Sequence, residues 1–185
     1  MVNYVDDFNR TDSTALGTWV ELGGDPEIIS NQFAPGTTGG YGVARYASPT
    51  DTDNQYAEMT ITDASSSSMG VFVRSNLAGT NFYLWRGNGI TWDMYLQYPG
   101  GTFIGIGQFV GPMNNGDVAR IECIGNVIKG YVNGVERVSV VDNQLAGAGY
   151  HYAGIRLATS TTARVDNFAA GDLEDFDPGA FFNFI

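Results

Sequence analysis

Between residues 117 and 142 the chain reads DVARIECIGNVIKGYVNGVERVSVVD, and this stretch leaves little choice of fold. Apolar and polar residues alternate with a period of two, which sends successive side chains to opposite faces of an extended strand. The alternation breaks twice, at Gly125-Asn126 and at Asn133-Gly134. An Asn-Gly step accepts positive φ at both central positions of a type I′ turn, whose twist suits the strands on either side. The stretch predicts three antiparallel strands joined by two tight turns.

The same pattern runs through the rest of the chain. NQYAEMTITD (54–63), SMGVFVRSN (68–76), NFYLWR (81–86), WDMYLQY (92–98) and TFIGIGQF (102–109) are separated by Gly, Pro, Asn and Ser. GTWVEL, EIISNQF and YGVARYA precede them, and YAGIRLA (152–158) and ARVDNFAAG (163–171) follow the hairpins. That makes about a dozen short strands at the roughly 8–12-residue spacing of a sandwich or barrel. Twenty-five glycines and a Ser/Thr/Asn-rich background leave no 3.6-residue apolar stripe for a helix. With 185 residues, the expectation is one all-β domain with a substantial core. The composition changes at Gly171: DLEDFDPGAFFNFI opens acidic, breaks at Asp177-Pro178-Gly179 and closes aromatic. The expected organisation is a β-sandwich over 1–171 and a docking tail over 172–185.

Charge narrows the partners. Nine Lys+Arg against twenty Asp+Glu give a formal charge of -11, and eight of the nine cations are arginines scattered singly. Nucleic acids and anionic membranes are both recognised through clustered cations, so neither is an expected partner. Cys123 has no second cysteine to pair with and shares a strand face with Ala119 and Ile121, which reads as a buried structural thiol. MVNYVDDFNR lacks the basic start and apolar run of a signal peptide, and no segment reaches the ~18 apolar residues of a membrane span.

Asp6–Arg10 (DDFNR), Arg74–Asn76 with Phe82–Leu84, Gly125-Asn126 with Asn133-Gly134, and Val165–Phe168 (VDNF) form a familiar set. Together they resemble the concanavalin A-like (laminin G-like) jelly rolls, and more narrowly those of minor tail or other virion proteins of actinobacterial tailed phages. The resemblance covers roughly residues 4 to 172. It implies a two-sheet antiparallel jelly roll and a structural role in a virion, made in the host cytoplasm. It also implies first and last strands side by side, with Phe8 and Phe168 inward and Asp6, Asp7 and Asp166 gathered at a rim. Gathered carboxylates repel unless a cation or backbone N–H groups absorb the charge. A structural calcium ion would do so. Turn capping by the Asp and Asn side chains themselves accounts for the same residues and is the expectation, so no cofactor is assigned.

Three functional readings compete for these residues. Retaining glycosidases need two carboxylates about 5 Å apart, and in AEMTITD the spacing puts Glu58 and Asp63 on opposite strand faces. His151 is the one histidine, in a glycine-flanked turn, so a His-rich zinc site is excluded and no enzyme is expected. A lectin needs a stacking aromatic with polar groups around it. NFYLWRGNGITWDMYLQY offers Tyr83, Trp85, Arg86, Trp92 and Tyr95, with Asn88 and Asp93 between them and Arg74 as a further candidate. Strand alternation puts Tyr83 and Trp85 on one face and Phe82, Leu84 and Arg86 on the other, and one of the two must be core. In the tail, Phe176, Phe181, Phe182, Phe184 and Ile185 read as an attachment peptide. Burying a side chain of this kind contributes about 1.5–3 kcal/mol, and ordering each tail residue costs about 1–2 kcal/mol. Such a peptide docks weakly unless it adds as a strand to a sheet edge or is present in repeated copies, and folding back over its own sandwich is the alternative. The leading expectation is a minor tail protein attached through these residues to itself or to other virion proteins. The alternatives are a host-glycan adhesion module and, further off, a capsid decoration protein.

Overall fold

The computed structural model describes residues 1–36, 40–64, 68–98, 100–158 and 160–174. These form an all-β antiparallel sandwich, as the alternation requires. One sheet holds β1 (Asn3–Asp6), β3 (Glu27–Ile29), β4 (Gln32–Ala34), β6 (Gln55–Asp63), β11 (Val118–Ile124), β12 (Val127–Val132), β13 (Val135–Val141) and β15 (Arg164–Asp172). Its order is β13-β12-β11-β6-β15-β4-β3, with β1 also paired to β15. The other holds β2 (Trp19–Gly24), β5 (Gly42–Tyr46), β7 (Ser68–Ser75), β8 (Phe82–Gly87), β9 (Thr91–Tyr98), β10 (Thr102–Val110) and β14 (Tyr152–Ala158), in the order β10-β9-β8-β7-β14-β5-β2. This is a two-sheet jelly roll.

The turns follow their residues. Asn133 and Gly134 both have positive φ, the type I′ pattern, while at Gly125-Asn126 only Gly125 does, the type II′ pattern. EIISNQF, expected as one strand, is a hairpin: Ser30 and Asn31 take φ of 52° and 61° and separate β3 from β4. Neither residue is glycine, and that is why the turn is hard to see in the sequence.

The first and last strands lie side by side, with Asp6 opposite Phe168. Phe8 and Phe168 are buried and pack with Trp19 and Phe33 in one aromatic knot; Trp19 meets Phe168 edge-on at 4.6 Å and lies 5.7 Å from Phe8. Asp6 secures the knot from outside. Its carboxylate accepts from Phe8 N (2.8 Å), from both Arg10 terminal nitrogens (2.7 and 3.1 Å) and from Trp19 Nε1 (2.8 Å). Asp7 accepts from Asn9 N, and Asp166 from Asn167 N. The rim carboxylates thus serve as turn caps and as an arginine clamp. Burial, then the proximity of Asp7 and Asp6, raises the Asp166 pKa above the ordinary range.

Two further buried groups tie segments distant in sequence. Arg74, a further glycan-contact candidate in the sequence, is fully buried at a φ of 48°. A positive φ interrupts strand alternation, so the side chain turns inward instead of following Phe72 to the outer face. There it donates to the carbonyls of Asp53 (2.9 Å), Leu145 (3.3 Å) and Gly125 (2.6 Å). Asp172, placed in the tail by composition, ends β15 and accepts from Val2 N, Asp51 N, Thr52 N and Thr52 Oγ1. Cys123 is buried with Ala119 and Ile121, and burial pushes its thiol up to about 12, which keeps it protonated and inert.

Truncating Phe168 to alanine opens the knot and costs about 3–5 kcal/mol, measurable as a lower midpoint in urea unfolding. Asp172 generates a pH dependence. Burial works to raise its pKa, but the donors from Val2, Thr52 and Asp51 outweigh it and hold the carboxyl below the usual range. A depressed folded pKa gives stability that is complete above the unfolded value of about 3.9 and lost as pH falls through the folded one. Asp172→Asn therefore destabilises at about pH 7 and flattens the acid limb of the stability curve; an acid limb as steep as the parent's contradicts this role.

Candidate functional site

The sandwich interior claims much of the expected aromatic site. Tyr83, Trp85 and Trp92 face the other sheet and are fully buried. Trp85 stacks on Trp92 at 5.7 Å and donates Nε1 to Tyr131 O, while Trp92 donates Nε1 to Pro112 O. The Trp85 ring lies over Gly130, where an added Cβ would meet ring atoms at 2.6 Å. The Tyr83 hydroxyl bonds Asp142 and accepts from Leu145 N. These three residues tie the layers together and cannot stack on a surface ligand, which corrects three of the five residues expected from the sequence. Their polar ring atoms find backbone or carboxylate partners inside, so full burial costs them nothing.

Arg86 and Tyr95, the other two, lie on the outer face of the seven-stranded sheet. Strand register explains the grouping. Val43, Arg156, Gly70, Arg86, Asp93 and Gln108 are successive cross-strand neighbours across β5, β14, β7, β8, β9 and β10. The next row on that face runs Arg45, Gly154, Phe72, Leu84, Tyr95 and Gly105. Phe82, Gln97 and Phe103 begin a third. A polar row thus lies beside an apolar floor, in which Val43, Phe72, Phe82 and Leu84 are buried beneath Leu22, Tyr95 and Phe103.

The polar row is wired around Asp93, which is 4% exposed. Its carboxylate accepts from Gln108 Nε2 (2.7 Å), Asn88 Nδ2 (2.9 Å) and Thr91 Oγ1 (3.1 Å), and Arg86 Nη2 lies 3.8 Å away. Arg86 Nη2 also donates to the Tyr95 hydroxyl at 2.8 Å, with the guanidinium carbon 4.5 Å from the centre of the Tyr95 ring. Both residues keep some exposure. Register in β10 shifts between Gly105 and Gly107, and a pocket of about 430 Å³ opens there, lined by Asp93, Tyr95, Gly105, Ile106, Gly107 and Gln108. Gly105 sits opposite Tyr95, and with no side chain of its own it leaves the ring edge uncovered.

Arg156 enters the face from β14. Its guanidinium carbon lies 4.9 Å from the Phe103 ring centre and 5.5 Å from that of Tyr41. Phe103 and Arg156 spring from strands four spacings apart, about 19 Å on a flat sheet. Their contact at 4.9 Å therefore spans the face above β9, β8 and β7. Burial, then the nearby Arg86, lowers the Arg156 pKa against the opposing pull of Tyr41. The sequence reading missed Arg156, Phe103, Tyr41 and Gln108. The available signal was alternation alone: an arginine between Ile155 and Leu157 must sit on the face those two avoid.

Elsewhere, His151 proves half-buried, its Nε2 2.9 Å from Asp53 Oδ1 beside a pocket of about 380 Å³. Burial works to raise the Asp53 pKa, but Gly147 N–H, His151 and Arg74 outweigh it and hold the carboxyl below the usual range. Glu58 is bound by Arg120 (2.8 Å) on the outer face of the eight-stranded sheet. Among the described residues no group of three or more His, Cys, Asp or Glu is placed to hold a metal ion. Phe176, Phe181, Phe182, Phe184 and Ile185, the expected attachment residues, lie outside the described residues.

No protein-family model matches the chain, and no curated protein matches it in sequence. Solved structures match its fold. The carbohydrate-binding module CBM66 from Bacillus subtilis superposes with a TM-score of 0.64 at 15% identity, over 81% of this chain and 91% of that one. The carbohydrate recognition domain of Emp46p, in a potassium-bound form, gives 0.65 at 11% identity over 90% and 94%. The catalytic domain of an endo-1,3-beta-glucanase (laminarinase) from Thermotoga petrophila gives 0.58 at 10% identity over 94% and 97%. The fold is thus the galectin- or concanavalin A-like jelly roll. At such identities the likeness extends to the fold alone, and none of these three proteins is described as a virion component.

Trp19, Trp85 and Trp92 are all buried, so their fluorescence should resist quenching by iodide until the protein unfolds. Ready quenching in the native state would place a tryptophan on the surface and overturn the assignment of Trp85 and Trp92 to the interior.

Proposed function

We propose that this chain is a lectin-type carbohydrate-binding module that takes saccharide on the outer face of its seven-stranded sheet, at Arg86, Asp93, Tyr95 and Gln108. The observation that carries this reading is the meeting of three chemistries at one pocket. Asp93 and Gln108 offer acceptors and a donor for sugar hydroxyls, Arg86 offers a fixed donor, and the exposed edge of Tyr95 offers an apolar surface for sugar C–H groups. The pocket is held by strands, so little ordering is needed on binding. Solved carbohydrate-binding modules and recognition domains of the same fold support the reading.

Binding is favoured over hydrolysis because Asp93 is the one carboxylate lining this pocket among the described residues, whereas glycoside cleavage of the usual kind needs a pair. The virion role expected from the sequence resemblance draws no support from these neighbours.

A glycan array probed with the full chain tests the proposal, with affinities of the hits then measured by titration calorimetry. Tyr95→Ala and Arg86→Ala should each weaken binding about tenfold or more, or about 1.4 kcal/mol. Tyr131→Ala, on the other sheet, should leave binding unchanged. An empty array, or equal losses from all three variants at matched melting temperature, sinks the reading.

A further inference from the structure

Among the described residues Arg156 faces aromatic rings rather than a carboxylate, its guanidinium lying against Phe103 and Tyr41. Among the described residues no carboxylate lies within ion-pairing distance of its guanidinium, whereas Arg10, Arg86, Arg120 and Lys129 each have one. Arg45 and Arg74 lack one too, but both donate to backbone carbonyls instead, and Arg137 lies over the Phe109 ring. Arg156 is only partly exposed, and its Nη1 is buried with no hydrogen-bond partner. Two positions along the same cross-strand row, Arg86 carries a second buried and unpartnered nitrogen, Nε. Between the two strands lies Gly70, which contributes no side chain to separate them. The row therefore holds two guanidiniums and a single carboxylate, Asp93, already shared with Gln108, Asn88 and Thr91. Leaving cations half-desolvated and like-charged neighbours together is costly. An anion placed over the row would offset that cost, and a guanidinium fork matches the two oxygens of a carboxylate or sulfate. The aromatic rings of Phe103, Tyr41 and Tyr95 around these cations would sit beside the rest of a sugar residue.

We infer that the ligand is an acidic saccharide, whose carboxylate or sulfate is received by Arg156 beside Arg86 while its ring lies toward Tyr95 and Asp93. This rests on the carbohydrate-binding reading above and narrows it to a substrate class. The overall charge of -11 works against it, since the protein as a whole repels polyanions. Affinity for an acidic polymer would have to come from this local site rather than from general attraction.

The experiment is titration of the full chain, with a chelator present to prevent divalent cations bridging acidic chains. The probes are polygalacturonate, the same polymer with its carboxyl groups reduced to alcohols, and a sulfated galactan with its desulfated counterpart. Acidic polymers should bind at least tenfold tighter than their neutral counterparts, and rising salt should erode that preference. Arg156→Gln should abolish the preference without weakening neutral binding, and Arg156→Lys should restore part of it. Preference for the polyuronate alone, or for the sulfated polymer alone, identifies which anion the fork receives. Neutral polymers binding as well as acidic ones overturns this inference and leaves the lectin reading intact. Equal losses for acidic and neutral polymers in Arg156→Gln overturn it as well, because Arg156 would then serve the fold. If Arg156→Gln does not fold, the parent's salt dependence and the Arg156→Lys variant decide. Failure of every polymer and every arrayed glycan to bind removes both proposals.

Discussion

The seven-stranded sheet buries apolar side chains on both of its faces, and much of the molecule follows from that. Antiparallel sheets commonly pack one face and wet the other, yet every residue of β7 is buried and most of β8 is too. The inner face meets the eight-stranded sheet through Trp85, Tyr83, Met69 and Val71. Among the described residues no third layer covers the outer face, and its own long side chains roof it: Phe103 and Tyr95 from one side, Leu22 and the Arg156 stem from the other. Aliphatic and aromatic parts cover the floor while cationic heads reach toward water. A surface built this way is chemically mixed, with rings, guanidiniums and one carboxylate at close quarters. It is suited to a ligand that is itself part apolar and part polar.

How much of this was legible beforehand depends on how local each feature is. Strand alternation and Asn-Gly turns are local, so the sheets' strands and the 117–142 hairpins could be read directly, while the inward Phe8 and Phe168 came from the jelly-roll resemblance. The β3/β4 turn could not, because Ser30 and Asn31 adopt positive φ under tertiary constraint. The site was half legible. The segment 81–98 supplies Arg86, Asp93 and Tyr95, but alternation cannot say which face of a strand is core when both faces carry large side chains. Tyr83 and Trp85 were therefore offered alongside Arg86, although they point the other way. Arg156 and Gln108 enter the row from strands well separated in sequence, and only register brings them there. Arg74 shows the converse: one positive φ inverted its side chain and made a surface candidate into an interior tie.

The fold by itself says little about function. Closely similar sandwiches serve a carbohydrate-binding module, a recognition domain and a glucanase, and one architecture commonly hosts many activities. What distinguishes this chain is the chemistry on one face of one sheet. The opposite surface is also rich in charge, with Arg120 clamped between Glu58 and Glu122. There, however, Arg120 and Lys129 are matched by Glu58, Glu122 and Glu136, and partly exposed ion pairs of that kind contribute little beyond solubility. The imbalance on the seven-stranded sheet gives that face its interest.

The pairing of β1 with β15 has a consequence of another kind. Val2 N donates to Asp172 at 2.7 Å, and Asp172 N donates back to Val2 O at 3.0 Å. The two ends of the β domain therefore leave the sandwich at one point, and its topology is close to a closed ring. A short peptide could join residue 172 to residue 2 with the sheets unchanged, and the chain could then be opened at an exposed turn such as Asn133-Gly134. For the same reason the whole sandwich could sit within a loop of another protein, displacing the flanking residues of its host by hardly more than a strand spacing. A module with such a geometry can change hosts without altering the face it presents.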